Sequence, residues 1–344
     1  MCKELSSKLA ETNDFSVIVV SLYTLHSSIT DYFERKKIPI IFLNKKHGFD
    51  LSLIAKLKKI IKLENVDIIH THRYTMQYAL PAAIIAGNKT PIIHTVHNIA
   101  NKEISKNRRK IAYLAYRFNR AIPIGISPLV KDSISSEYGL SIDNIPLIYN
   151  GIDLSRCIKK SDYSVKNKFK FIHVGRFSDQ KNHIMILHAF RELVKEGLDV
   201  QLNLIGDGPL INDCKNKCHS LGIDNHVTFL GLRTDVHDLL STSDCFILPS
   251  KYEGMPISLI EAMGTGLPVI VTDVGGMPDM IKNNYSGLVI DPSKESLIKA
   301  MKQIIHNSNL REVLGKNALH ESKKFTSEEM TQSYIEIYKK ALYS

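Results

Sequence analysis

Short β-branched apolar runs alternate along this chain with longer stretches of helical period. In the first half, runs at 15–22, 39–43, 66–72, 91–97 and 121–127 predict strands, and 146–150 is a further short apolar run. Helices are predicted at 1–11, 51–63 and 75–86, with Lys56, Lys58, Lys59 and Lys62 on the polar side of the second. A polar stretch near 150–170, opening on Asn150-Gly151-Ile152-Asp153, reads as a turn and linker. Beyond it, strands are predicted at 169–174, 200–205, 227–230, 246–248, 269–271 and 287–290. Helices fit at 182–196, 210–221, 236–241, 257–263 and 277–282, then at 294–306, 309–320 and 327–342. Strands alternating with helices imply an α/β protein with parallel, doubly wound sheets. The expected domains are 1–160 and 161–325, followed by a terminal helix at 326–344.

Composition fits two ordinary domains. The 344 residues are 44% apolar and 23% charged, and no window approaches eighteen consecutive apolar residues, so no transmembrane helix is expected. The start carries charge and lacks the apolar core of a signal peptide. Five scattered cysteines predict reduced thiols and a cytoplasmic protein. Cys214 and Cys218, although spaced i, i+4, read as core or surface thiols rather than zinc ligands. Charge is uneven: residues 1–160 hold 24 Lys+Arg against 13 Asp+Glu, the remainder 21 against 22. A basic first half suits anionic lipid or a phosphate-bearing acceptor; no nucleic-acid motif accompanies the charge. Within it, 101–120 is a basic segment with Tyr113, Tyr116 and Phe118 after its Lys/Arg cluster. It fits a membrane-surface helix, and also the commoner packed helix with a solvated basic end.

The chemistry concentrates in the second half, above all at 245–276. Glu253 lies in the loop after one apolar strand, and Glu261 two helical turns further on, in the following helix. Such a loop faces the crevice where open α/β sheets bind ligands. Gly254 permits close backbone approach, and the N–H groups of Gly254, Met255 and Ile257 can bind hydroxyls or anions at the helix start. After the strand at 169–174, Arg176 offers a two-pronged phosphate donor and Lys181 a compact positive charge. Gly206 and Gly208, in a G-D-G-P turn, are expected to line the same region. His97 ends the strand at 91–97; His70, His72 and Arg73 end the one before it.

The run Glu253-Gly254-x-Pro256…Glu261, followed by A-M-G-x-G-x-P-V and a Gly-Gly pair, resembles the donor-sugar signature of retaining GT-B glycosyltransferases, family four in particular. That resemblance implies two Rossmann-like domains facing across a cleft, with the last helix crossing back to the first. It implies that Glu253 holds the transferred sugar, that Glu261 accepts from the ribose hydroxyls, and that G-R-x-x-x-x-K-N at Arg176 and Lys181 clamps the diphosphate. His97 would contact the donor sugar. Retaining, metal-independent hexosyl transfer in cell-surface polysaccharide or glycolipid synthesis is the implied activity, and no D-x-D pair stands in the chain. The expected partners are a nucleotide-diphosphate sugar as co-substrate, a saccharide or lipid-linked acceptor, and an anionic membrane surface at the inner face of the membrane. No separate cofactor, metal or nucleic acid is expected. A sugar-nucleotide epimerase of the same fold is the competing enzyme class. A strand–G-x-G-x-x-G–helix dinucleotide fingerprint is absent. In the resembled family a strand and Gly-rich loop precede the helix matched by 1–11. Their lack here predicts unpaired strand neighbours, and keeps a truncated, non-catalytic sugar-nucleotide-binding protein as a third possibility.

Overall fold

The computed structural model describes residues 1–24, 28–87 and 90–343. Its strands, in chain order, are β1 (Val19–Ser21), β2 (Ile40–Phe42), β3 (Ile69–His72), β4 (Ile92–Val96), β5 (Ala121–Gly125), β6 (Phe169–Val174), β7 (Val200–Ile205), β8 (Val227–Gly231), β9 (Cys245–Leu248), β10 (Val269–Thr272) and β11 (Leu288–Ile290). Contacts divide the chain into two units, Met1–Gly151 with Ser327–Ser344, and Ile152–Thr326.

The second unit is built on one parallel sheet in the order β11-β10-β9-β6-β7-β8. Strands β9 and β10 are apolar along almost their whole length because helices cover both faces. Phe171, Leu202, Ile247 and Ile270 are fully buried, packed with Phe190 and Leu193 of helix His183–Lys195. Cys214 and Cys218 belong to this core, where burial pushes each thiol up to about 11. Arg311 is buried too. Its guanidinium donates to the carbonyls of Ile304 and Ile305 at 2.8 and 2.9 Å, satisfying the end of helix Lys294–His306. The chain leaves β6 on one side for β7 and β8, then returns on the other for β9, β10 and β11. The order therefore reverses between β6 and β9, which opens a crevice at their carboxyl ends.

In the first unit the strands form two parallel sheets, β1-β2 and β3-β4-β5. The strand predicted at 15–22 shortens to β1, because its ladder with β2 runs only from Val19↔Ile40 to Ser21↔Phe42. Phe15 and Val17 still pack into the core, without a ladder. Helices Ser28–Arg35 and Pro128–Tyr138 were not predicted. The second carries readable signals: Ser127 accepts from the Val130 N–H at 3.2 Å, Pro128 opens the helix, and left-handed Gly139 ends it. Leu5 and Leu9 of helix Cys2–Ala10 share a core with Ile93, Ile124, Ile148, and with Met330, Tyr334 and Tyr338 of helix Ser327–Leu342.

Four histidines are locked into the β3–β4 side of this unit. His70 bonds Tyr338 Oη through Nδ1 at 2.6 Å and Thr95 Oγ1 through Nε2 at 2.8 Å, and Thr95 joins Tyr334 Oη at 2.8 Å. His94 Nδ1 meets Thr71 Oγ1 at 2.8 Å. His72 Nδ1 and His97 Nε2 lie 3.0 Å apart, so one ring donates and the other accepts. Burial holds all four neutral, pushing His72 down to about 3, His94 to about 4, and His70 and His97 well below the ordinary value. An unfolded chain takes up these protons below pH 6.5 while the native unit refuses them, so stability falls as pH falls. Each histidine should remove roughly 1.4 kcal/mol per pH unit until its folded value is reached. Chemical denaturation from pH 7.5 to 5 checks this; a flat midpoint across that range would contradict it.

Candidate active site

Two loops emerge side by side at the crevice because β6 pairs directly with β9, Phe171 opposite Cys245 and Ile172 opposite Phe246. Residues 175–182 follow β6 and residues 249–256 follow β9. They are stitched together by polar contacts. Gln180 Nε2 donates to the Tyr252 carbonyl at 3.0 Å, the Lys251 N–H to the Gln180 carbonyl at 2.8 Å, and Asn182 Nδ2 to the Pro249 carbonyl at 3.3 Å. At the centre, Lys181 Nζ lies 2.7 Å from Glu253 Oε1, with only 14% and 7% of the two side chains exposed. Glu253 Oε1 also accepts from Ser250 Oγ at 2.8 Å. Residues chosen separately from the sequence, one for phosphate and one for sugar, are thus partners. A buried charge of either sign requires such compensation.

The third loop of this site explains the Gly-Gly pair after β10. Gly275 has φ +64°, and a Cβ there would overlap the Glu253 carbonyl oxygen. The Gly276 N–H donates to that same carbonyl at 3.1 Å. The backbone at Glu253 is therefore clamped from behind by a position only glycine fills. Gly254 keeps a negative φ. Gly254 and Met255 are buried, and helix Ile257–Thr265 opens on Pro256 without a side-chain cap. Its first N–H groups, including that of Ile257, form the positive end of a helix dipole. Glu261 lies half-buried in the second turn of that helix.

Arg176 is exposed, and its side chain has no hydrogen bond or ion pair among the described residues. It lines a depression of about 400 Å³ at the carboxyl ends of β6, β7 and β8, with Gly206, Asp207, Leu232 and Arg233. Gly206 both lines this depression and supports it, since a Cβ there would overlap the Gly175 carbonyl oxygen. Gly208 supports it from behind, against the backbone of Phe177. Leu232, 80% exposed, and Arg233, which forms a two-point bond with Asp235 at 2.6 and 2.8 Å, escaped the sequence reading. Only their place after β8 could have drawn attention to them. A larger depression of about 720 Å³ lies beside edge strand β11, lined by Lys282 and Lys299; it contains none of the sequence-predicted site residues.

His97 is in the first unit, at the end of β4. Its ring is paired with His72, and its backbone N–H donates to Glu103 Oε1 at 3.2 Å. The tautomers of His72 and His97 are thus coupled, and the contact orients the His97 ring.

Residues 1–156 match the family Glycosyltransferase Family 4 and residues 156–321 match Glycosyl transferases group 1. An Escherichia coli protein, UDP-Gal:alpha-D-GlcNAc-diphosphoundecaprenol alpha-1,3-galactosyltransferase, is 30% identical over 84% of this chain and 80% of its own. The chain belongs to glycosyltransferase family four. The N-acetyl-alpha-D-glucosaminyl L-malate synthase of Bacillus anthracis is 28% identical over 84% of this chain and 79% of its own. Among solved structures, Anabaena Alr3699/HepE in complex with UDP and glucose superposes with TM-score 0.85 at 20% identity, covering 98% of this chain and 94% of that one. The fold of this family-four enzyme is GT-B, two Rossmann-like units. Membership sets aside the epimerase alternative.

The backbone clamp gives a prediction separate from charge. Gly275→Ala should displace the Glu253 loop and weaken nucleotide-sugar binding at least tenfold, while far-UV circular dichroism stays native. Calorimetric titration checks it; unchanged affinity would show that Glu253 does not depend on the clamp.

Proposed function

We propose that this glycosyltransferase moves a hexosyl group from a nucleoside-diphosphate sugar to an acceptor hydroxyl, with retention at the anomeric carbon and without a metal ion. The observation that carries the reading is the Lys181–Glu253 pair in the crevice beside the unpartnered guanidinium of Arg176. A diphosphate entering there meets two cationic side chains and an uncapped helix terminus. The pocket at Arg176, Asp207, Leu232 and Arg233 suits the nucleoside end. Glu261 takes the ribose hydroxyls, Glu253 a hydroxyl of the sugar, and backbone N–H groups at Gly254, Met255 and Ile257 its remaining oxygens. His97, neutral and oriented by His72, is proposed as a further hydrogen-bonding group for the donor sugar.

In the reaction, the acceptor oxygen bonds to the anomeric carbon as the bond from that carbon to the diphosphate breaks. The acceptor proton passes to the departing phosphate oxygen on the same face. Arg176 and Lys181 stabilise the charge that grows on the diphosphate, the term on which such a transfer chiefly depends. The excess of basic residues in 1–160 favours an acceptor saccharide carried on a lipid phosphate at the inner face of the membrane. The E. coli relative, whose name specifies a diphosphoundecaprenol-linked acceptor, points the same way. Among the described residues no helix is long and apolar enough to cross a membrane.

Arg176→Ala should leave stability unchanged, because the side chain is exposed and unpartnered, yet slow transfer roughly 10²-fold. Lys181→Ala should lower both, since it strands Glu253 in a buried site at a cost of about 3–5 kcal/mol. Glu261→Ala should raise the donor KM. Assays of released nucleoside diphosphate, with the anomeric configuration of the product read by NMR, check these. Wild-type turnover in Arg176→Ala, or an inverted product, would overturn the reading.

A further inference from the structure

Helix Lys106–Arg117 buries Ala112, Ala115 and Tyr116 and turns its other side to solvent. That exposed side carries Lys106, Lys110, Tyr113, Leu114 and Arg117, with Phe118 just past the end. The spacing of four, three, one, three and one residues keeps them on one face. Large apolar side chains on this face are open to water, Tyr113 at 44%, Leu114 at 50% and Phe118 at 69%. The neighbouring helix Met76–Ala86 packs against it and adds Ile84 and Ile85, at 53% and 55%. Both helices cross back between parallel strands β3, β4 and β5, so their carboxyl ends lie at the same end of the sheet. The charge is one-sided: residues 104–131 hold seven Lys and Arg and no Asp or Glu. Among the described residues, Lys106, Lys110, Arg117 and Arg120 form no ion pairs.

We propose that this face docks on an anionic lipid bilayer. Leu114, Phe118 and Tyr113 enter the headgroup region, and Lys110 and Arg117 meet lipid phosphates. Aromatic and aliphatic groups interleaved with free cations on a single helix face suit an interface that is apolar in depth and negative at its surface. A second copy of the chain suits it poorly, because self-pairing brings like charges together. Nucleic acid would leave Leu114, Ile84 and Ile85 without a role. The proposal goes beyond the transfer chemistry and requires no acceptor, so lipid binding and turnover fail independently.

The test is co-sedimentation of the whole protein with vesicles of phosphatidylglycerol and phosphatidylcholine, and with phosphatidylcholine alone. Binding is expected to the first only, weakening as salt rises. The double substitution Lys110→Glu/Arg117→Glu should weaken it at least tenfold, and Leu114→Ser/Phe118→Ser by a similar factor. Both variants should keep wild-type release of nucleoside diphosphate from a nucleotide sugar in detergent-free buffer, and Lys58→Glu/Lys59→Glu on helix Ser52–Leu63 should bind as wild type. No binding, equal binding to both vesicle types, or binding that survives Lys110→Glu/Arg117→Glu overturns the proposal. So does a wild-type dimer in solution that Phe118→Ser dissociates, which would give the face to self-association.

Discussion

A buried charge pair sets the terms for the second unit. Lys181 and Glu253 lie 2.7 Å apart and nearly closed off from water, so each supplies the compensating partner the other requires. Their meeting depends on the parallel pairing of β6 with β9, which delivers one residue from each of two adjacent loops. A register shift of one residue on either strand would part them and turn the following side chains to the opposite face. The pair therefore ties the position of the crevice to the strand ladder beneath it. It also holds a cation and an anion ready at one point, the combination needed by a ligand with phosphate at one end and hydroxyls at the other.

Backbone crowding does the rest of the positioning. Around the crevice, loops are held by contact between main chains rather than by interdigitated side chains. Gly275 lies against the carbonyl of Glu253, and Gly206 against that of Gly175. A side chain at either place would push a loop outward. Hydrogen bonds from Gln180 and Asn182 then fix the spacing that the glycines permit. The result is a rigid rim on the most deeply buried strands, the arrangement that keeps charged groups in place with little reorganisation when charge moves during reaction.

The first unit is organised differently. Its short strands lie in two sheets, and much of its polar interior is a set of neutral histidines bonded to hydroxyls and to each other. Its surface carries the basic excess of the chain. One unit concentrates fixed charge at a crevice, whereas the other fills much of its polar interior with neutral histidines and carries the basic excess.

Much was legible from residue pattern alone. Every strand of the second unit stands within a residue or two of its predicted place, because buried parallel strands are short, mostly apolar runs bounded by turns. Glu253, Glu261, Arg176 and Lys181 were marked by motifs in which residue type and spacing occur together. The first unit was harder to read. β1 covers only part of its apolar run, since a strand is defined by the partner beside it, and Leu232 and Arg233 belong to no pattern. That Lys181 is the counter-charge of Glu253, that Gly275 closes against the Glu253 backbone, and that His72 pairs with His97 were all decided by tertiary structure. Local sequence determines which residues a loop presents. Only the pairing of distant strands determines which of them meet, and in a buried crevice that meeting supplies each charge with its partner.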